Sequence, residues 1–243
     1  MDPATVIFGA TGGIGSAVAH RVRTAGGPLV IAGRDTGRTA VLARELGAVP
    51  STVEAARPET FDAAISLAEQ HFGSVGDVVN CIGSLLLKPG HVTSDVEFGA
   101  VLEANLWSAF ATVRAATKAM YRTGGSIVLL STAAVRTGMA NHEAVAAAKG
   151  GVEGLVRAAA ATYAPKGIRV NAIAPGLVRT PMTARLTASE SSEAASTAMH
   201  AVGRLGEPDD IASAAMFLID PENSWVTGQV LGVDGGLGSV RPR

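Results

Sequence analysis

Short apolar runs alternate along the chain with longer segments in which apolar residues recur every three or four positions. This alternation predicts parallel strands separated by helices, with both faces of the sheet covered. We predict seven strands, at Thr5 to Phe8, Leu29 to Ala32, Ala48 to Val53, Asp77 to Ile82, Ser126 to Leu130, Ile168 to Ala174 and Gln229 to Val233. The pattern therefore predicts a doubly wound α/β fold.

Two of the predicted helices carry polar residues that are candidates for chemistry. An apolar stripe at helical spacing runs from Phe98 to Met120 after a cap at Ser94 or Asp95, and it places Asn105 on a buried face. A second helix is predicted from Asn141 through Ala161, with Lys149 inside it.

The chain has 243 residues, which an α/β fold accommodates as one domain, so we predict a single domain over residues 1–243. Residues 181–203 are polar and rich in alanine, and Pro208 opens a last helix after them. We predict that residues 181–203 form a mobile lid over the substrate.

Charge and cysteine content limit the kinds of partner that the chain is expected to bind. The 20 basic and 21 acidic residues form no charge run, so we expect neither nucleic acid nor a membrane as partner. The single cysteine, Cys81, cannot form an intramolecular disulfide. No apolar span of 18 residues, secretory leader or metal-ligand spacing stands out, which favours a cytoplasmic protein without a metal.

A glycine-rich loop follows the first predicted strand directly. Glycines let the backbone approach a pyrophosphate, and the N–H groups that open the next helix carry a partial positive charge. The spacing Gly9-x-x-x-Gly13-x-Gly15 is typical of a Rossmann-type dinucleotide cradle when it joins a strand to a helix. The predicted cofactor contacts in this loop are Gly9, Thr11, Gly13, Ile14 and Gly15.

Other strands also end in glycine or in hydrogen-bonding residues. In an open parallel sheet, ligands lie beyond the carboxyl ends of the strands. Further candidate cofactor contacts are therefore Arg34, Asn80, Gly83, Pro175 and Gly176.

Motifs of one family occur in order from Val6 to Gly236. They are Gly9-x-x-x-Gly13-x-Gly15, Asp77-Val-Val-Asn80-Cys-Ile-Gly83, Asn105 in Ala-Asn-Leu, Ser131-Thr132, Lys149-Gly-Gly-Val, Ile168-Arg-Val-Asn-Ala-Ile-Ala-Pro175-Gly176 with Thr180, and Val226-Thr-Gly-Gln ahead of Val233-Asp-Gly-Gly236. Together they resemble the short-chain dehydrogenase/reductase family. The resemblance implies an NAD(P)-dependent oxidoreductase in which Asn80 steadies the central strands, Lys149 binds the nicotinamide ribose and Thr180 approaches the nicotinamide end.

The reaction centre departs from the family pattern at two positions. Thr132 falls where the family has its catalytic serine, and Val145 falls where Tyr-x-x-x-Lys places the catalytic tyrosine ahead of Lys149. A positioned general acid is worth roughly 10²- to 10⁴-fold in rate, and valine cannot supply it. Tyr163 lies more than three helical turns beyond Lys149 and is too far along the helix to substitute. We predict Ser131 to be a strand-end cap.

Three readings of this reaction centre stay open. In the first, Asn105, Thr132 and Lys149 act with His142 as the substitute acid, since positions 142, 145 and 149 share a helical face; alternatively, His142 only caps or packs the helix start. In the second, the substrate carries its own proton or an activated C=C or C=N bond, so that Thr132, Lys149 and water suffice. In the third, the protein binds a nucleotide without redox turnover, as a regulator, partner subunit, lyase or isomerase.

The end of the second strand bears on cofactor choice. An acid at the position of Gly33 would grip both ribose hydroxyls of NAD, whereas glycine followed by Arg34 leaves room for a 2′-phosphate and supplies a cation. NADP(H) is therefore favoured. A small register change could bring Asp35 to the ribose instead and restore NAD(H).

The sequence says less about the substrate and the oligomeric state than about the cofactor. Apolar side chains fall where pocket and lid residues would lie, which favours a small, largely apolar substrate, although the same residues could be core: Met139, Leu177, Met182 and Met199. The family resemblance implies a homotetramer, and a homodimer is the alternative; the alanine- and glycine-rich helix around Lys149 and the helix that bears Asn105 would form the contact.

Overall fold

The strands form one parallel sheet in the computed structural model, which describes residues 2–240. Within this range the strands, β1 to β7 in chain order, are Ala4–Phe8, Leu29–Gly33, Val49–Thr52, Val75–Asn80, Gly125–Leu130, Ile168–Pro175 and Val230–Val233. Their order across the sheet is β3-β2-β1-β4-β5-β6-β7. All seven predicted strands and the doubly wound fold are confirmed, although the fourth strand begins and ends two residues earlier than predicted.

Helices cover both faces of the sheet. Numbered in chain order, α1 to α9 are Gly13–Thr24, Thr36–Leu46, Glu59–Phe72, Asp95–Leu102, Ser108–Met120, Ala134–Thr137, Glu143–Tyr163, Glu190–Ala198 and Pro208–Ile219. Among residues 2–240, no helix is both long and apolar enough to cross a membrane. The cytoplasmic location stays a prediction.

The two faces of the sheet explain why the strands are almost continuously apolar. Along β1, Val6 and Phe8 pack with α3, α5 and α7 on one face, while Ile7 packs with α1, α2 and α9 on the other. Successive side chains of a strand point to opposite faces, so a strand covered on both sides needs apolar residues at every position.

The helical stripe around Asn105 is interrupted. Ser94 caps α4 in a reciprocal box with Glu97, as predicted for Ser94, and Asn105 is buried as predicted. Between α4 and α5, however, residues Glu103–Trp107 form a π-helical turn. The wider turn shifts the phase of the stripe, and Phe98, which was predicted to lie on its buried face, is 39% exposed.

The helix that carries Lys149 is α7, which begins and ends two residues later than predicted and continues into a 3₁₀ turn at Ala164–Lys166. The predicted start of the last helix at Pro208 is confirmed. The segment 181–203 holds a 3₁₀ turn, Ala184–Thr187, and the short helix α8. That this segment moves stays a prediction.

Candidate active site

The dinucleotide cradle lies where the strand order reverses, between β1 and β4. Gly9 follows β1 with φ of 75°, and a Cβ there would lie 2.9 Å from the carbonyl carbon of Cys81, which follows β4. A Cβ at Gly15 would lie 2.3 Å from the carbonyl oxygen of Gly9. The loop therefore closes only because both positions lack a side chain.

The first turn of α1 suits an anion. Its N-cap is Gly12, and within residues 2–240 no side chain caps the helix and no acid occupies its first turn. The N–H groups of Gly13, Ile14 and Gly15 lack intrahelical acceptors by their position, and the helix dipole favours negative charge beside them. Thr180 lies against Gly13, with its Cγ2 2.9 Å from where a Cβ would be. These residues fit the pyrophosphate of a nicotinamide dinucleotide.

The end of β2 has no room for a carboxylate at position 33. A Cβ on Gly33 would lie 2.6 Å from Thr39 Oγ1 and 3.1 Å from Thr11 Oγ1. The carboxylate of Asp35 accepts the Arg38 backbone N–H at 2.9 Å and so caps α2. The register change that would turn Asp35 to a ribose is therefore not observed.

Two arginines stand beside this position. Arg34 is exposed at the end of β2, and Arg38 is exposed one helical turn further on. The Arg38 Nη2 donates to the carbonyl oxygen of Thr11 at 2.8 Å, which attaches its guanidinium to the glycine loop. Sequence reasoning missed Arg38, and its spacing of four residues from Arg34 is the signal that would have indicated it.

Asn105 and Lys149 meet at Gly83. A Cβ at Gly83 would lie 3.0 Å from Asn105 Oδ1 and 3.5 Å from Lys149 Nζ. The amide of Asn105 is held by Ser84, since its Nδ2 donates to Ser84 Oγ at 3.0 Å and to the Val101 carbonyl at 2.9 Å. Ser84, which sequence reasoning missed, carries no pattern that would single it out.

Lys149 is a buried cation without a carboxylate partner among the described contacts. It is 7% exposed, and its Nζ donates to the Leu130 carbonyl at 2.8 Å. Burial lowers the pKa of Lys149 to about 8. Burial raises the pKa of the neighbouring Cys81 thiol to about 12, so that thiol is neutral near pH 7 and supplies no counter-charge.

The two hydroxyl residues after β5 have different roles. Thr132 is half-buried, and its Oγ1 accepts the Ala134 N–H at 3.3 Å, which leaves its own O–H free to donate. The prediction that Ser131 caps the strand end was wrong. Its hydroxyl donates to the buried Glu153 carboxylate of α7 at 2.9 Å, because its side chain points toward the helix rather than beyond the strand.

Val145 lies one helical turn before Lys149 and forms part of an apolar wall. It is buried in a cluster of small and branched side chains, namely Val101, Ala144, Ala148, Leu85, Leu86, Leu102 and Leu106. His142 is the N-cap residue of α7, and its Nδ1 bonds the Ala140 carbonyl at 2.8 Å. The His142 side chain makes no capping bond to α7, and both readings of His142 stay predictions.

The remaining predicted contacts line the same edge of the sheet. Asn80 Oδ1 accepts the Ile82 N–H at 2.8 Å and shapes the turn after β4. The Pro175 carbonyl accepts the Ala133 N–H at 2.9 Å. A Cβ on Gly176 would lie 2.7 Å from His200 Nε2 and 3.0 Å from the Asp234 carbonyl oxygen, so glycine is needed there.

The apolar lid residues are not core. Met182 and Met199 are 54% and 40% exposed. Met139, which follows α6, and Leu177, which follows β6, are half-buried. That these four side chains contact a substrate stays a prediction.

Comparison with known proteins identifies the family. A family model described as Enoyl-(Acyl carrier protein) reductase matches residues 9–238. The chain is 36% identical to the short-chain reductase protein NovJ of Streptomyces niveus, with 97% of this chain and 94% of NovJ covered. It is 35% identical to a 3-oxoacyl-[acyl-carrier-protein] reductase of Mus musculus, with 98% of each chain covered.

Solved structures with a similar fold point to the same family. A short-chain type dehydrogenase/reductase from Mycobacterium ulcerans superposes with a TM-score of 0.95 at 28% identity, over 100% of this chain and 92% of that one. A variant of the actinorhodin polyketide ketoreductase, solved with NADPH, superposes with a TM-score of 0.93 at 28% identity, over 98% of each chain. With the cradle, the buried lysine and these relatives, the chain belongs to the short-chain dehydrogenase/reductase family and is an NAD(P)-dependent oxidoreductase.

Proposed function

We propose that this chain is an NADP(H)-dependent oxidoreductase that acts on a small, largely apolar, activated carbonyl or double bond, with Lys149 in place of a tyrosine as the source of the proton. One observation carries the proposal. A buried ammonium group reaches Gly83 beside Asn105, and the position one turn before it is the apolar Val145.

The preference for NADP(H) is supported by the end of β2. Gly33 has no space for an acid, and the carboxylate of Asp35 is engaged by the N-terminus of α2. Arg34 and Arg38 offer two guanidinium groups, which suit the charge and geometry of a phosphate. The polyketide ketoreductase variant with the similar fold was solved with NADPH.

The chemistry needs one hydride and one proton. The nicotinamide, when bound, supplies the hydride. The Lys149 ammonium has three N–H groups, and Leu130 occupies one of them. Another passes its proton through the Thr132 hydroxyl or a water to the atom that gains negative charge, and the neutral amine then takes a proton from solvent. In oxidation the neutral amine accepts the proton. A pKa of about 8 keeps both forms accessible near neutrality.

The substrate class follows from the weakness of this acid. Without a directly placed phenol, an isolated ketone would build up a full alkoxide, and the missing acid would cost roughly 10²- to 10⁴-fold in rate. Reduction of an enone gives a delocalised enolate, and a protonated imine starts with the positive charge that hydride addition neutralises, so both need less help. In a 3-oxoacyl group the acyl carbonyl withdraws electrons from the new alkoxide through the σ bonds and lowers its basicity, which reduces the demand on the acid to a smaller extent. The names of the relatives, which include 3-oxoacyl and enoyl reductases, are in keeping with this class.

Calorimetric titration with NADPH and NADH tests the cofactor part. We expect NADPH to bind at least about tenfold more tightly than NADH, because only NADPH carries the phosphate that Arg34 and Arg38 suit. Equal affinities would refute the assignment of these arginines.

The pH dependence of turnover tests the proton source. In the direction of reduction, Lys149 must be protonated, so kcat should fall as the pH rises through about 8. His142→Ala should keep this profile and the rate, since His142 bonds its own turn. A loss of rate in His142→Ala that acetate or imidazole buffer restores would instead make His142 the acid.

Installing a phenol tests the role of position 145. Val145→Tyr should raise the reduction of simple, unactivated ketones at least about tenfold, because it returns a positioned acid beside Lys149. Val145→Phe is the matched control, since it adds the same ring without the hydroxyl. Equal gains in both variants, or none in either with fold and NADPH affinity intact, would refute the assignment of this wall.

We also propose that the protein self-associates through α5 and α7. Trp107 and Phe110 stack with ring centroids 5.9 Å apart, and both side chains are close to half exposed. An exposed aromatic pair of this kind is typical of a contact surface. Sedimentation should give a dimer or tetramer for the wild type and a smaller species for Phe110→Glu; an unchanged species would argue against this surface.

A further inference from the structure

We infer that His200 is a positioning residue that joins the lid helix α8 to the loop after β6, so that the lid responds when the cofactor binds. The link itself rests on contacts within the chain. Its consequence rests on the proposed function, since it requires that the loop from Gly176 to Thr180 borders the cofactor.

His200 makes two hydrogen bonds to two separate segments. It is only 3% exposed. Its Nδ1 bonds the carbonyl oxygen of Ser196 in α8 at 2.8 Å, and its Nε2 bonds the backbone N–H of Leu177 at 3.1 Å. A carbonyl can only accept and an N–H can only donate, so the partners assign the neutral ring with its proton on Nδ1. One side chain thus satisfies a helix carbonyl and a loop amide at once.

Two glycines border the His200 side chain. A Cβ on Gly176 would lie 2.7 Å from His200 Nε2. On the other side, a Cβ on Gly235 would lie 3.4 Å from His200 Cβ and 3.5 Å from its Cδ2. The imidazole therefore lies so close to the backbone at Gly176 that this position has no room for a side chain.

The loop that His200 contacts continues to the cradle. The Leu177 carbonyl accepts the Gly206 N–H at 2.9 Å, and Arg179 N–H donates back to Gly206 at 2.8 Å. The next residue, Thr180, lies against Gly13 at the start of α1. A contiguous path of bonded and packed groups thus runs from α8 through His200 to the anion-binding turn, and such networks carry coupling between sites.

A second contact between α8 and this loop is an ion pair at the surface. Arg179 pairs with Glu193 of α8, and both side chains are about 40% exposed. Exposed ion pairs are screened by solvent and salt and contribute little. The buried His200 is the stronger candidate for transmitting a change in the loop to the lid.

The chain offers a matched control. His71 in α3 makes the same type of bond as His200, from its Nδ1 to the carbonyl four residues earlier, Leu67, at 2.9 Å. His71 is exposed, and that bond stays within its own helix. His71→Leu therefore removes the common helix bond without touching a link between segments.

Hydrogen exchange of the cofactor-free protein tests the link. In His200→Leu, the Leu177 amide should exchange at least about tenfold faster than in wild type, because its buried acceptor is gone. In His200→Gln it should stay slow, since the glutamine oxygen reaches the position of Nε2. In His200→Asn it should become fast, because the shorter side chain keeps only the bond to Ser196. His71→Leu should match wild type.

The same measurement with NADPH tests the coupling. In wild type, NADPH should slow exchange in both the glycine loop and α8. In His200→Leu and His200→Gln, it should protect the glycine loop but no longer α8, because the tie to Ser196 is lost. The KM of the substrate should then rise about tenfold in both variants while kcat changes less than threefold, since the lid but not the reaction centre is affected.

The outcomes separate this inference from the proposed function. Slow exchange of Leu177 in His200→Leu without cofactor would refute the link. Undiminished protection of α8 by NADPH in that variant would refute the coupling. If wild type fails to bind NADPH, the proposed function fails, and the cofactor-free comparison still decides whether His200 makes the link.

Discussion

The dinucleotide cradle and the reaction centre lie at the same edge of the sheet but are built in opposite ways. The cradle consists of backbone and depends on missing side chains, since Gly9 and Gly15 leave no room for a Cβ. The reaction centre consists of side chains, each held by its own hydrogen bond: Asn105 by Ser84, and Lys149 by the Leu130 carbonyl.

The difference indicates that cofactor binding and proton transfer can change independently in this fold. The cradle does not tolerate a side chain at Gly9 or Gly15, because an added Cβ at either position meets main chain. In the reaction centre, one side chain can be replaced without removing the hydrogen bonds of the others. A tyrosine in place of Val145, for example, leaves the bonds of Asn105 to Ser84 and of Lys149 to Leu130 in place. Each substitution considered next therefore changes one of these regions and leaves the other unaltered.

The largest effect is expected at the reaction centre. Lys149→Met should lower kcat by about 10²- to 10⁴-fold, because the proposed proton source is removed and methionine fills a similar buried volume. Steady-state kinetics with NADPH and an activated carbonyl measure it. Lys166→Met, which removes an exposed lysine over Tyr121, is the control and should leave kcat unchanged. A loss of less than about threefold in Lys149→Met would refute the role of Lys149.

The cradle should respond through affinity. Gly15→Ala should weaken NADPH binding at least about a hundredfold, because a Cβ would lie 2.3 Å from the Gly9 carbonyl and displace the loop. Calorimetry measures the loss, and circular dichroism should report a retained fold. Gly154→Ala makes the same change at an open position of α7 and should bind NADPH normally. Unchanged binding in Gly15→Ala would show that the cradle is not the phosphate site.

The amino ends of the strands provide a reference region remote from both. Burial raises the pKa of Asp77 to about 7 and outweighs the opposing effect of the Arg169 charge. The unfolded chain releases this proton near pH 4 and the folded chain only near pH 7, so wild-type stability falls across that interval and then levels off.

Asp77→Asn removes that dependence. We expect the variant to match wild type at pH 4 and to exceed it by about 4 kcal/mol above pH 7, where the buried carboxylate is charged only in wild type. Urea unfolding at several pH values measures the difference. Stability curves that stay parallel would contradict the raised pKa, and NADPH affinity should be the same in both proteins.

The smallest effect is expected from a substitution at the edge of the cradle that changes the preference for NADPH over NADH. Arg38→Ala should weaken NADPH binding about tenfold and leave NADH binding within about twofold, since only NADPH presents a phosphate to the guanidinium. Arg44→Ala, at the exposed end of the same helix, controls for net charge. Equal losses for both cofactors would mean that Arg38 acts only by holding the Thr11 carbonyl.

Much of the fold followed from local pattern. The apolar runs located all seven strands. Inner strands such as β1 and β2 are buried at every position because both of their faces are covered, whereas the edge strands β3 and β7 are only partly buried. The phase of the helix around Asn105 was only partly predictable. The π-helical turn at Glu103–Trp107 depends on packing between α4, α5 and α7, which no local periodicity encodes.

The sequence alone determined the strand-loop-helix cradle, the buried position of Asn105, and the presence of Val145 one turn before Lys149. These features depend on residues close together in the chain. Only the tertiary structure decided that Ser131 bonds Glu153, that Asp35 caps α2 while Arg38 reaches Thr11, and that His200 joins α8 to Leu177. Each of these side chains has several possible hydrogen-bond partners. Which partner it bonds depends on the residues that the fold brings near it, and the sequence does not show this.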